Sequence, residues 1–345
     1  MSEPLLIDHG KMGIRGPVRE CAEVTTLYSA LTANRSESQF RNDFDFDGKE
    51  RLTARTDYNP DGSEGVTHFS YDNSGLLLKS TYKLNGSVLT EVEHQYDELG
   101  RIQKITSSAG SRGSAVYIYD QQGKRTKIQT STPEDYRPNI TFGGSLFEAN
   151  DHAPNLPLGG TATTMFDDRS RPCEVEVRDD QGQLVKRVVR TFNERGLVAE
   201  EAEFLPDPTA ILPRQFRDQF LQRPGASIEE LREKLRKIVG VHVTSASVKF
   251  EYDTQGRVVR TRRRIFNRED EINSSYNEHG EVAKSVTREV VTDLDADVNP
   301  RYSETICSYQ YDSQGNWTEK IASHRLSPDG AFNVTLKTTR TLAYY

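Results

Sequence analysis

A five-residue string, an aromatic followed by Asp or Asn, two unrestricted positions and Gly, narrows the possible folds of this chain more than any other feature. It occurs nine times: Phe44-Asp45…Gly48, Tyr58-Asn59…Gly62, Tyr71-Asp72…Gly75, Tyr96-Asp97…Gly100, Tyr119-Asp120…Gly123, Phe192-Asn193…Gly196, Tyr252-Asp253…Gly256, Tyr276-Asn277…Gly280 and Tyr311-Asp312…Gly315. Chance would supply about 0.2 matches at this composition, so the repeat is real. Decayed copies include Phe166-Asp167…Ser170 and Asp179…Gly182. Unbroken stretches repeat every ~10–15 residues, the length of one hairpin arm plus a turn and too short for a helical repeat.

The residue types follow from the turn. In the run Val248 to Arg260, apolar 248, 250 and 252 alternate with charged neighbours, which is the pattern of a half-buried strand. Asp253 then offers a short carboxylate to the backbone N–H groups of the turn, and Gly256 takes the positive φ it needs. Asp72, Gly75, Asp97, Gly100, Asp120, Gly123, Asp312 and Gly315 read as turn residues in the same way. The expected fold is all-β: an antiparallel hairpin meander forming a curved or partly curled sheet, with a small α-helical hairpin insertion. The expected segments are a first array at 13–132, a Pro/Gly-rich loop at 133–165, a second array at 166–204, the helical insertion at 205–240 and a third array at 241–345. The whole reads as one continuous β domain. The insertion is placed by a capping box, Ser227 with Glu230, ahead of apolar Ile228, Leu231, Leu235 and Ile238 at helical spacing.

With 345 residues the chain can bury a core without disulfides or metal. Its 34% hydrophobic content and mean hydropathy of −0.72 leave no transmembrane helix, and membrane insertion is not expected. A net charge of −7 argues against nucleic acid, whose phosphates require net Lys and Arg on the contact face. Cys21, Cys173 and Cys307 are odd in number and far apart, which supports neither a disulfide framework nor a thiolate metal site. Met1 to Lys11 has no basic region and only Leu5-Leu6-Ile7 as an apolar run, so no signal peptide is expected in this chain.

The reiterated Tyr-Asp-x-x-Gly-[Arg/Leu] string resembles the YD repeats of the Rhs (rearrangement hot spot) family, shared with toxin-complex shells and teneurins. The resemblance runs from about residue 13 to 345. It implies an antiparallel ribbon at the cell envelope or outside the cell. It also implies a non-enzymatic binding or scaffolding protein that contacts carbohydrate or a protein partner. The alternative it implies is a fragment or relative of a toxin-encapsulating shell in interbacterial competition, although the shell-closing core segment and a toxin domain have no counterpart here.

Trp317, Tyr311 and Tyr252 are candidate platform rings for a ligand, with Arg260, Arg262 and Arg264 on one strand face beside them. The competing reading pairs these arginines across strands with Glu251, Glu269, Glu271 or Glu289. Asp293, Asp295 and Asp297 are spaced like the start of a calcium loop, with Glu304 at the twelfth position. Val298 and Pro300 break that pattern, so calcium competes with a solvated acidic loop and no cofactor is otherwise expected. No catalytic residue is nominated: the seven histidines are scattered, and no G-x-S-x-G, phosphate loop or dinucleotide string occurs.

Overall fold

The computed structural model describes residues 13–28, 37–107, 114–131, 160–207, 209, 219–223, 225–239, 243–265, 268–290 and 301–345. Their strands are β1 (Val18–Tyr28), β2 (Glu37–Phe46), β3 (Leu52–Tyr58), β4 (Glu64–Tyr71), β5 (Leu77–Leu84), β6 (Ser87–Tyr96), β7 (Ile102–Ser107), β8 (Ser114–Tyr119), β9 (Arg125–Ser131) and β10 (Thr161–Phe166). They continue as β11 (Pro172–Arg178), β12 (Leu184–Phe192), β13 (Val198–Leu205), β14 (Val243–Tyr252), β15 (Val258–Ile265), β16 (Arg268–Tyr276), β17 (Val282–Val290), β18 (Tyr302–Tyr311), β19 (Trp317–Arg325) and β20 (Asn333–Tyr344). One long helix, α1 (Ile228–Val239), lies between β13 and β14. Its Ser227 hydroxyl accepts from the Glu230 N–H at 3.1 Å, and Leu231 is buried.

The chain divides into two compact units. In the first, β17 to β20 are laddered in order, β20 pairs with β1, and β1 to β7 follow, all antiparallel. In the second, β8, β9, β10, β11, β12, β13, β14 and β15 are laddered in sequence. All twenty strands belong to one sheet, and its first strand pairs with its last. This corrects the expected curved or partly curled sheet, because the meander closes its hydrogen bonding. The physical reason is the β1–β20 ladder, which supplies partners to backbone groups that a free edge would leave to water.

Each corner is made by local chemistry. At Tyr96-Asp97, Oδ1 of Asp97 accepts from the N–H groups of Leu99 (3.0 Å) and Arg101 (2.9 Å), while Oδ2 takes Nε of Arg101 at 2.6 Å. Gly100, at φ +73°, sends its N–H to the Asp97 carbonyl. The same bonds recur at Asp167 with Arg171 and at Asp253 with Arg257. The first corner differs from the spacing expected at Phe44-Asp45. It forms at Phe46-Asp47, where Asp47 binds Lys49 and Arg51, and Glu50 rather than glycine takes the positive φ, +62°. Gly48, which set the expected frame, sits inside that turn.

Successive corners are latched together. The Tyr71 hydroxyl donates to the Leu52 carbonyl (2.7 Å), that of Tyr96 to Leu77 (2.8 Å) and that of Tyr252 to Val198 (2.7 Å). Corner arginines cover the next corner's ring: Arg51 lies 4.6 Å from the Tyr71 centroid and Arg171 lies 3.8 Å from that of Phe192. Tyr96→Phe removes one latch and leaves a half-buried carbonyl without its donor. Urea denaturation is expected to show a loss of about 1 kcal/mol, and an unchanged midpoint would show that solvent replaces the phenol.

The core of the first unit sits at the corner end of its strands, where Ile14, Val18, Cys21, Phe44, Phe46 and Leu52 are buried under Phe69, Leu342 and Tyr344. Burial, reinforced by Glu23, pushes the Cys21 thiol up to about 12, so it is inert filling. Next to this core, wholly buried Asn316 holds both ends of the meander. Its Oδ1 accepts from the Arg15 N–H (2.6 Å), and its Nδ2 donates to the Arg15 carbonyl (2.8 Å) and the Tyr344 hydroxyl (2.9 Å). Tyr344 in turn donates to Asp312, and the Tyr345 hydroxyl donates to the Phe46 carbonyl at 2.7 Å.

Candidate functional site

In the second unit, strand register brings together side chains far apart in sequence. Thr191 pairs with Glu200, Glu200 with Lys249 and Lys249 with Arg262, forming one row across β12 to β15. The next row on the same face is Val189, Ala202, Ser247 and Arg264, and Phe204 opposite Thr244 begins a third. With Glu269 of β16 these residues line a groove of about 570 Å3. One flank, on β12 and β13, presents Val189, Ala202 and Phe204 beside Thr191 and Glu200. The other, on β14 and β15, carries Lys249, Arg262 and Arg264.

The cations are half-committed. Lys249 lies 3.7 Å from Glu200, and Arg262 reaches Glu271 at 3.2 Å. Arg260 is bound more closely to the same Glu271, at 2.5 Å, and that hydrogen bond raises the guanidinium's pKa above its ordinary value. An ion pair at Lys249's separation and exposure is weak, so an incoming anion meets little competition there. A second depression of about 600 Å3 lies among Asp167, Arg171, Phe192 and Asn193. Its Arg171 is already paired with Asp167 and stacked on Phe192.

The residues singled out from the sequence are distributed as follows. Arg260, Arg262 and Arg264 share the groove's face, and Arg262 and Arg264 line it. Tyr252 ends β14, with its phenol latched to Val198. Tyr311 and Trp317 are register partners in the first unit. Tyr311 stacks on His279 at 3.9 Å and accepts from Asn277, and Arg340 covers the Trp317 ring at 3.5 Å, so these rings already have partners on a face or at the phenol. Asp293, Asp295 and Asp297 lie outside the described residues. Glu304, 3% exposed, is gripped by Lys284 Nζ (2.6 Å), the Tyr302 hydroxyl (2.6 Å) and Arg325 Nε (2.7 Å). Among the described residues no cluster is arranged to hold a metal.

Those partners, Lys284 first, then Tyr302 and Arg325, hold the Glu304 carboxyl down at about 2, from an ordinary 4.5. A carboxyl depressed in the folded state stabilises the fold above its unfolded pKa and stops doing so as pH falls through its folded one. Wild type and Glu304→Gln are therefore expected to differ most in stability above pH 4.5 and to converge towards pH 2. A gap independent of pH in acid denaturation curves would show that charge on Glu304 contributes nothing.

The remaining groove residues, Thr191, Glu200, Ala202, Phe204, Ser247 and Lys249, escape a reading of sequence alone. Their alternation marks them as one face of each strand, but β13 and β14 are separated by the helical insertion, and only the register joins them.

No family model matches the chain, and no curated protein matches it. Solved structures it is similar to include a porin-like protein from Bacteroides uniformis ATCC 8492, 10% identical over 95% of this chain and 98% of that one, with a TM-score of 0.37. Another is a porin-like protein from Bacteroides vulgatus ATCC 8482, 9% identical over 94% and 97% of the two chains, with a TM-score of 0.20. The expected membership of the YD-repeat/Rhs family is corrected, since no family model matches the chain. The recurring string records a hairpin corner, which a meander of this pitch requires whatever its ancestry. The scaffold and toxin-shell functions, and the carbohydrate or protein partner, drew on that resemblance and are withdrawn with it. The expected exclusion of membrane insertion is withdrawn as well. No helix of the described residues is long and apolar enough to cross a membrane, which says nothing of strands.

Proposed function

We propose that this chain binds a small organic anion in the groove on β12 to β15. The observation that carries the reading is the alignment of Lys249, Arg262 and Arg264 on one sheet face over a cavity of about 570 Å3. Backbone ladders fix the spacing of the strands that carry these residues, so the site's layout is set before a ligand arrives. Guanidinium groups match the planar fork of a carboxylate, and a nearby ammonium adds an undirected charge. The role is binding rather than catalysis, and a setting at the cell envelope, which only the family resemblance implied, is part of the same proposal, checked by fractionating the native cell.

Isothermal titration with citrate, acetate and inorganic phosphate at low salt tests the reading. At least one anion is expected to bind, to weaken as salt rises and to be lost in Arg262→Glu/Arg264→Glu. Absence of binding by all three together with octanoate, or binding that the double reversal leaves intact, overturns it.

A further inference from the structure

The groove has two chemically different flanks, and their arrangement narrows the ligand. Resting on the anion-binding reading above, we infer that the ligand is amphipathic: a carboxylate head on Arg262 and Arg264, with an apolar body lying across the sheet on Ala202, Val189 and Phe204. Neighbouring strands are about 4.8 Å apart, so the distance from Ala202 on β13 to Arg264 on β15, two strands away in the same row, is about 10 Å. A compact anion such as phosphate reaches the cations and leaves the apolar flank wet. A ligand with a hydrocarbon body fills both.

The polar groups between the flanks set direction. Ser247 lies in the row between Ala202 and Arg264, and a hydroxyl at that point can meet the inner oxygen of a carboxylate whose outer oxygen is on the guanidinium. Glu200, between Thr191 and Lys249 in the neighbouring row, and Glu269 of β16 repel a second negative charge, which favours a monoanion with one head over a dicarboxylate. The ligand class is therefore a soluble monocarboxylate with an aliphatic or aromatic body.

Titration of the full chain with acetate, butanoate, hexanoate and octanoate reads this directly, without a variant. Each added methylene that reaches the apolar flank is expected to tighten binding about threefold, since burying one is worth ~0.8 kcal/mol. Affinity that stays flat from acetate to octanoate overturns the amphipathic ligand while leaving the anion site standing. Loss of binding by all four, with phosphate and citrate also silent, removes both. Phe204→Ser is expected to flatten the dependence on chain length while acetate binding is retained, and Arg264→Gln to weaken all four acids by a similar factor. An unchanged chain-length slope in Phe204→Ser, with circular dichroism matching wild type, would place the hydrocarbon elsewhere. Sedimentation with phosphatidylglycerol vesicles separates a free acid from a lipid surface: vesicle binding without octanoate binding overturns the proposal.

Discussion

Replacing Glu201 by alanine is expected to lower the unfolding free energy by about 3–5 kcal/mol, the cost of stranding one member of a buried ion pair. Glu201 is 1% exposed on β13, and its Oε1 receives Nη2 and Nε of Arg190 on the neighbouring strand at 2.5 and 3.0 Å. Taking the carboxylate away leaves a guanidinium that has already lost most of its water. Replacing both partners with apolar residues, as in Arg190→Met/Glu201→Leu, is expected to recover most of the loss, because no buried charge remains. Chemical denaturation of the three variants checks this, and a double variant no better than Glu201→Ala would show that the carboxylate matters for something other than neutralising Arg190.

The second large effect is expected at Asn316→Ala. The amide makes three hydrogen bonds, two of them to the main chain at Arg15, and the side chain is wholly buried. Truncation leaves a peptide N–H and a C=O without partners, for a loss of about 3 kcal/mol. It also differs in kind from the first effect, because it is local. Hydrogen exchange at the Arg15 amide is expected to accelerate more than exchange in β4 to β6, and tryptic cleavage after Arg15 is expected to appear under native conditions. Uniform acceleration throughout the first unit would instead mean that Asn316 supports the whole unit rather than clasping one segment to it.

The strands and corners were legible in the sequence because each is set by residues within five positions of one another. Asp97, Gly100 and Arg101 build their turn whatever lies beyond it. Even here, counting glycines misplaced the first corner by two residues, since Glu50 adopts a backbone conformation usually reserved for glycine. Closure was not legible. Cys21 opposite Leu342 and Glu23 opposite Arg340 are pairings between opposite ends of the chain, and nothing in either strand's alternation names its partner. The groove was half legible for the same reason: Arg262 and Arg264 stand out as a cluster, whereas Lys249, Ala202 and Phe204 become neighbours only through the register. The family resemblance failed because the string that carries it specifies a corner and says nothing of how many corners meet or what the sheet does.

The ladder between β1 and β20 has a consequence for synthesis. Arg340 and Glu23, paired at 2.5 Å, are separated by 317 residues of chain. At ribosomal speeds of about 5–20 residues per second, β1 emerges roughly 15–60 s before the strand that completes it. Throughout that interval one of its edges has N–H and C=O groups open to any extended peptide nearby. Nascent chains of this protein are therefore vulnerable to misassociation through β1 until β20 is made, and a holdase that shields β1 would raise the folded yield more than one acting later.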